Sequence, residues 1–164
     1  MAGISQRMAV VTPKLEIFGG LSRTQIDEVT SWLERRDLPA GSVVVREGAA
    51  ADGLFVLYQG KVVVDKGSSF GRFRISEISA PSYFGEVGLL TGGQRTAGIK
   101  VISDAIVGFL PLTVFEERIE RNNVTALRIS LNLARLLALR LNETNERLAK
   151  ATAMIARQRT PSRF

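Results

Sequence analysis

Apolar positions along the chain change period twice, and each change marks a boundary. Ile26, Val29, Trp32 and Leu33 recur at helical spacing, which predicts an amphipathic helix with one buried face. Ser22 followed by Gln25 supplies the capping-box pair that opens it. Residues 13–18 are predicted as a short helix ahead of it, Gly19-Gly20 as the break, and residues 1–12 as a loosely ordered start. From Arg36 the period shortens. Val43, Val44 and Val45 form a β-branched run, and strands are predicted over 54–58, 61–65, 72–78, 96–103 and 105–110. Residues 48–53 read as a loop. Gln59-Gly60 reads as a tight hairpin turn and 67–71 as another. Many short strands punctuated this often imply a sandwich or roll. Helical spacing returns over 112–121, breaks at Asn122-Asn123, and continues from Val124 to about Gln158 with no Gly or Pro. The expected class is therefore α+β, an antiparallel β-roll of jelly-roll type with N-terminal helices and a long C-terminal helix. The expected units are a helical lead-in over 1–35, the roll over 36–111, and the C-terminal helices with a basic tail over 112–164.

The last helix carries two apolar patterns. Leucines and isoleucines are dense up to Leu141, a face broad enough to contact two surfaces. Ala134, Leu137, Leu141, Thr144, Leu148, Ala151 and Ile155 then follow alternating spacings of three and four, which predicts pairing with a second copy of the helix. Thr144 and Ala151 are poor core residues, so the pairing would need help from the roll. A homodimer through this helix is expected.

Charge divides the chain in the same place. The net charge is +6. Residues 1–120 hold 13 Lys/Arg and 14 Asp/Glu, whereas 121–164 hold 9 Lys/Arg against Glu143 and Glu146, a net of +7. A basic tail attracts nucleic acid, anionic lipid or an acidic partner; it is also what a solvated helix face looks like. There is no cysteine and no histidine, which removes thiol nucleophiles, disulfides, the usual zinc ligands and imidazole acid–base catalysis. Residues 8–11 are too short for a signal-peptide core, and Arg135 and Arg140 interrupt the best candidate for a membrane span. A cytoplasmic protein with no membrane span and no enzymatic activity is expected.

Candidate chemistry concentrates in residues 83–98, YFGEVGLLTGGQRTAG. Gly85 lets a ligand approach the backbone closely. Glu86 can only accept hydrogen bonds when ionised, and Arg95, nine residues on, is a permanent cation. A ligand that presents a hydroxyl to one and a phosphate to the other is a nucleotide. A helical turn over 85–90 would add outward-pointing amides, an anion site. The opposing possibility is a structural ion pair between Glu86 and Arg95.

With its spacing, this segment resembles the phosphate-binding cassette of the cyclic nucleotide-binding domain family: Phe84, Gly85, Glu86, Val87, Gly88, Leu89 and Leu90, then Arg95, Thr96 and Ala97. The resemblance runs from about Leu15 to the helix after Asn123. It implies a β-roll, and a ligand that is cAMP or cGMP with no catalytic cofactor and no metal. It implies that Glu86 accepts the ribose 2′-hydroxyl, that Arg95 and the cassette amides hold the cyclic phosphate, that Thr96 admits guanine without excluding adenine, and that Val87 and Ala97 line the sugar and base. A strand over 72–78 should add to that lining, and Arg140, Leu141 and Thr144 should lie near the base, with Arg140 stacked on it. Leu141 and Thr144 equally suit the dimer core. Two positions depart from the pattern. Gln94 stands where many members have Pro, and Gly88 where Ala is usual, which loosens the turn and the short helix.

The implied function is that of a receptor which couples ligand capture to movement of the C-terminal helix and reports to an unidentified protein partner. The sequence resembles the sensor half of catabolite-activator-type regulators, with no room for a DNA-reading domain before Phe164, so a stand-alone receptor is expected and nucleic acid is not an expected partner. The alternatives are a ligand-independent scaffold on the same fold and a nucleic-acid binder acting through the basic tail.

Overall fold

The computed structural model describes residues 12–159; the expected loose start, apart from Thr12, lies outside them. Two 3-10 turns, Thr12–Lys14 and Glu16–Phe18, precede helix α1, Arg23–Trp32. The Ser22–Gln25 capping box is complete: the Gln25 amide donates to Ser22 Oγ, and the Ser22 amide donates to Gln25 Oε1. Strands β1 (Glu34–Leu38), β2 (Val43–Val45), β3 (Gly53–Ser68), β4 (Gly71–Ser79) and β5 (Ser82–Phe84) lead to the short helix α2, Glu86–Thr91. Strand β6, Gly98–Pro111, is followed by helix α3, Leu112–Glu120, and helix α4, Val124–Arg159. All strand pairs are antiparallel, in the order β1-β6-β3-β4, with β2 on β6 and β5 on β3. This is the α+β roll the sequence predicts.

Three strand assignments need correction. The hairpin expected at Gln59-Gly60 is absent, because β3 runs straight through it. Gly60 has φ +90°, and the register against β6 slips on both sides of it. A Cβ there would lie 2.5 Å from the Asp104 carbonyl oxygen, so glycine makes a bulge that bends one long strand rather than a turn between two. By the same bend, the two strands expected over 96–103 and 105–110 are the single strand β6. Strand β1, which reads ERRDL, was not legible as a strand. It is an edge strand with no fully buried residue, and it holds to the sheet by pairing with β6, by half-buried Leu38 packing on the roll core, and by Arg36 lying 3.7 Å over the Phe109 ring.

The run from Gly53 to Tyr58 is buried throughout because each face of β3 meets its own core. Leu54, Val56 and Tyr58 pack with Ile17, Phe18, Ile26, Val29 and Trp32 of the helical layer, and with Ala126, Ile129 and Leu133 of α4. Phe55, Leu57 and Val62 turn into the roll. There Phe55 stacks on Phe84 (centroids 5.0 Å apart) and leans on Phe109 (4.8 Å).

The start of α4 is fixed from several sides. Asn122 takes a positive φ of 55° at the break, and the Ala126 amide donates to Asn123 Oδ1 (2.9 Å). Glu28 of α1 accepts from Asn123 Nδ2 (2.8 Å) and from Thr125 Oγ1 (2.6 Å). Asn132 Nδ2 donates to the carbonyls of Ile17 (3.1 Å) and Gly19 (2.9 Å). From Ala138 to Ala156 every residue is exposed, including Leu141, Leu148 and Ile155 of the heptad stripe. Among the described residues no helix is long and apolar enough to cross a membrane.

Tyr58 makes the fold alkali-sensitive. Its hydroxyl is buried against Thr12 Oγ1 (3.0 Å), and burial, only partly offset by that hydrogen bond, pushes its pKa up to about 12. The folded chain therefore holds this proton more tightly than the unfolded one. The resulting stability is fully present below pH 10 and is lost as pH rises toward 12, roughly 2–3 kcal/mol in all. Urea unfolding at stepped pH should show this decline in wild type and a shallower one in Tyr58→Phe.

Candidate functional site

The cassette residues converge on one pocket of about 520 Å³ between the roll and α4. Strand β5 ends at Phe84, whose ring is held in the Phe55 stack. Gly85, at φ +87°, turns the chain into α2 as its N-cap, a left-handed conformation that glycine reaches without strain. The amides of Glu86, Val87 and Gly88 begin the helix with no carbonyl behind them. All nine residues expected at the site, Phe84 to Gly88, Arg95 to Ala97 and Arg140, line this pocket.

Arg95 is the most constrained of them. It is 5% exposed. Its Nη2 donates to Asp52 Oδ1 and to the Gly53 carbonyl (2.8 Å), and Nη1 reaches the Gly85 carbonyl at 3.4 Å. A guanidinium carries five N–H donors, so among the described residues Nε and one Nη1 hydrogen are left without a partner. The segment before it is pinned: the Arg95 amide donates to Ala49 O (2.8 Å), Gly48 N to Arg95 O (2.9 Å) and Ala51 N to Gly93 O (2.9 Å).

Glu86 and Arg95 do not pair with each other. Glu86 accepts from Arg140 Nη1 at 2.5 Å, while Arg140 Nη2 reaches Tyr83 Oη at 3.2 Å and its guanidinium lies 5.3 Å over the Tyr83 ring. Burial raises the Tyr83 pKa, and the Arg140 cation and its hydrogen bond lower it in part. Arg140 thus sits at the Glu86 end of the pocket and joins the long helix to the cassette. Among the described residues Oε2 of Glu86 has no hydrogen bond or ion pair.

Ser76, Glu77 and Ile78 of β4 line the pocket where a strand over 72–78 was expected to, and Thr144 lines it from α4. Leu141 does not; it is 61% exposed on the outer side of the helix. Sequence reasoning missed Asp52, Tyr83, Glu143 and Arg147. Tyr83 could have been found as the residue entering the motif. Asp52 lies 43 residues from Arg95, and no local pattern announces it.

Gly88 proves to be a packing requirement rather than a weakness. A Cβ there would lie 2.6 Å from Ala51 Cβ and 3.2 Å from Arg95 Nη1. Gly88→Ala gains about 1 kcal/mol of helix propensity but forces α2 away from a backbone-pinned neighbour, which costs roughly 1–3 kcal/mol. Urea unfolding should show a net loss of stability; a gain would mean that Ala51 yields.

The family model described as "Cyclic nucleotide-binding domain" matches residues 35–122. The chain belongs to the cyclic nucleotide-binding domain family. It is 30% identical over 143 residues to a CRP-like cAMP-activated global transcriptional regulator of Mycobacterium tuberculosis, covering 87% of this chain and 62% of that one. It is 28% identical over 131 residues to cGMP-dependent protein kinase, isozyme 1, of Drosophila melanogaster, covering 79% of this chain and 16% of the kinase. The crystal structure of Thermus thermophilus catabolite activator protein superposes with a TM-score of 0.74 at 27% identity, covering 84% of this chain and 63% of that one. The chain thus spans less than two thirds of each of these relatives.

Proposed function

We propose that this chain is a cytoplasmic, non-enzymatic receptor for a cyclic mononucleotide, cAMP in the first place and cGMP as the alternative. The observation that carries this reading is the convergence on one pocket of Glu86 and Arg95 from the cassette and Arg140 from α4, more than forty residues further along the chain. The phosphate docks on the free Arg95 donors and the first amides of α2. The ribose 2′-hydroxyl donates to Glu86 Oε2. cAMP is placed first because the mycobacterial relative is described as cAMP-activated; the Thr96 hydroxyl at the pocket leaves room for guanine.

Signalling runs through Arg140. It ties α4 to the carboxylate that receives the sugar, so ligand and helix position bias each other, and a few kcal/mol of differential binding shifts the helix population. The heptad stripe of α4 pairs two copies, and Thr144, which belongs both to that stripe and to the pocket, links the dimer to the ligand. Calorimetric titration of the folded protein with cAMP and with cGMP tests the reading. Micromolar or tighter binding supports it, and the affinity ratio names the base. Absence of heat with both, at two temperatures, overturns it and leaves the scaffold reading in its place.

A further inference from the structure

Away from the nucleotide pocket, a groove of about 500 Å³ runs between the first half of α4 and the Gly19-Gly20 turn. Val124, Leu127 and Leu131 stand along it at i, i+3 and i+7, an aliphatic stripe about 10 Å long. They are 64%, 44% and 50% exposed. The opposite wall is fixed: Asn132 holds the Ile17 and Gly19 carbonyls, and Arg128 Nη1 donates to the Gly20 carbonyl at 3.0 Å. The groove is thus a built feature of the helical layer. Its charge has one sign. Arg128 and Arg135 line it, and among the described residues no Asp or Glu does.

We propose that this groove docks an acidic amphipathic helix from a partner protein. Branched side chains at i, i+3 and i+7 are the surface into which the apolar ridge of another helix seats. The arginines beside them select a partner whose flanks carry carboxylates. A nucleic-acid strand would satisfy the arginines but leave three aliphatic side chains against phosphates. A second copy related by two-fold symmetry would bring the arginine rows of both chains toward each other. Leu131 and Val124 also lie off the heptad stripe that runs through Ala134, Leu137 and Leu141, whereas Leu127, one heptad before Ala134, stands where the groove and the stripe meet.

The probe is a fluorescent helical peptide of about four turns, with Leu at i, i+3 and i+7 and Glu on both flanks; its control carries Lys in place of Glu. Anisotropy titrations with the full chain should show the Glu peptide binding at least about tenfold tighter, and more weakly as salt rises. Leu131→Asp should abolish the binding, with Val124→Asp as a second reporter, and Arg135→Glu should weaken it about tenfold. All three variants should keep wild-type circular dichroism, oligomeric state and cyclic-nucleotide affinity. Equal binding of the two peptides, or wild-type binding by Leu131→Asp, overturns the proposal. So does a change of oligomeric state in Leu131→Asp, which would make the groove a contact between copies. So does a DNA oligonucleotide that binds through Arg135 with no dependence on Leu131.

Discussion

Arg95→Ala is expected to weaken cAMP binding about a hundredfold or more, the largest effect of any single site substitution. Two charge-assisted contacts to the phosphate are at stake, each worth roughly 1.5–3 kcal/mol, and about 1.4 kcal/mol is tenfold in affinity. The fold should survive. The residue left behind, Asp52, has a side chain 63% exposed and rehydrates readily, and the Phe55–Phe84–Phe109 cluster that supports the guanidinium stays in place. Calorimetry on wild type and variant, with melting temperatures alongside, checks both halves. Binding that persists within a few-fold of wild type would show that the phosphate rests on the α2 amides alone. Collapse of the fold would recast Arg95 as a structural residue that clamps Asp52 and Gly53 to the cassette.

Phe55→Ala is expected to produce the largest loss of stability. The ring is 2% exposed, touches two other aromatic rings, and lies beneath Arg95 at 5.7 Å. Truncation removes buried area and leaves a cavity, about 3–5 kcal/mol for a core phenylalanine, with roughly 1 kcal/mol of ring–ring geometry included. For a chain of this length that lowers the melting temperature by about 6–20 °C. A ligand that binds only the folded chain should partly restore the fold: at a hundred times its dissociation constant it returns about 2.7 kcal/mol. Thermal melts of Phe55→Ala with and without saturating cAMP measure both quantities. A variant as stable as wild type would mean that Phe84 and Phe109 close over the space.

Legibility from the sequence followed the range of the interactions concerned. The Ser22–Gln25 capping box, the turn of helix after Gly85 and the break at Asn122-Asn123 are each decided within a few residues, and each was read from them. The cassette was legible because its chemistry sits inside sixteen consecutive residues. Gly60 was misread because a glycine after Gln59 looks the same whether it turns the chain or bulges it; the deciding contact, with Asp104 and Ala105, comes from a strand more than forty residues away. β1 escaped because an edge strand takes its stability from a partner's backbone and needs no apolar alternation. The placement of Arg140 on Glu86 and Tyr83, and of Asp52 on Arg95, depends on how α4 and the loop before β3 lie against the cassette, which no local pattern encodes.

The clasp between the helical lead-in and the start of α4 has a consequence for how the protein is made. Asn132 holds carbonyls 113 and 115 residues behind it, and Asn123 and Thr125 hold Glu28 across 95 and 97. On the ribosome, at about 5–20 residues per second, the nascent N-terminal helix waits several seconds for its cover. Through that interval Ile17, Phe18 and Val29, all sealed in the finished protein, face water or a chaperone. Closure of this layer comes only as the first turns of α4 leave the exit tunnel.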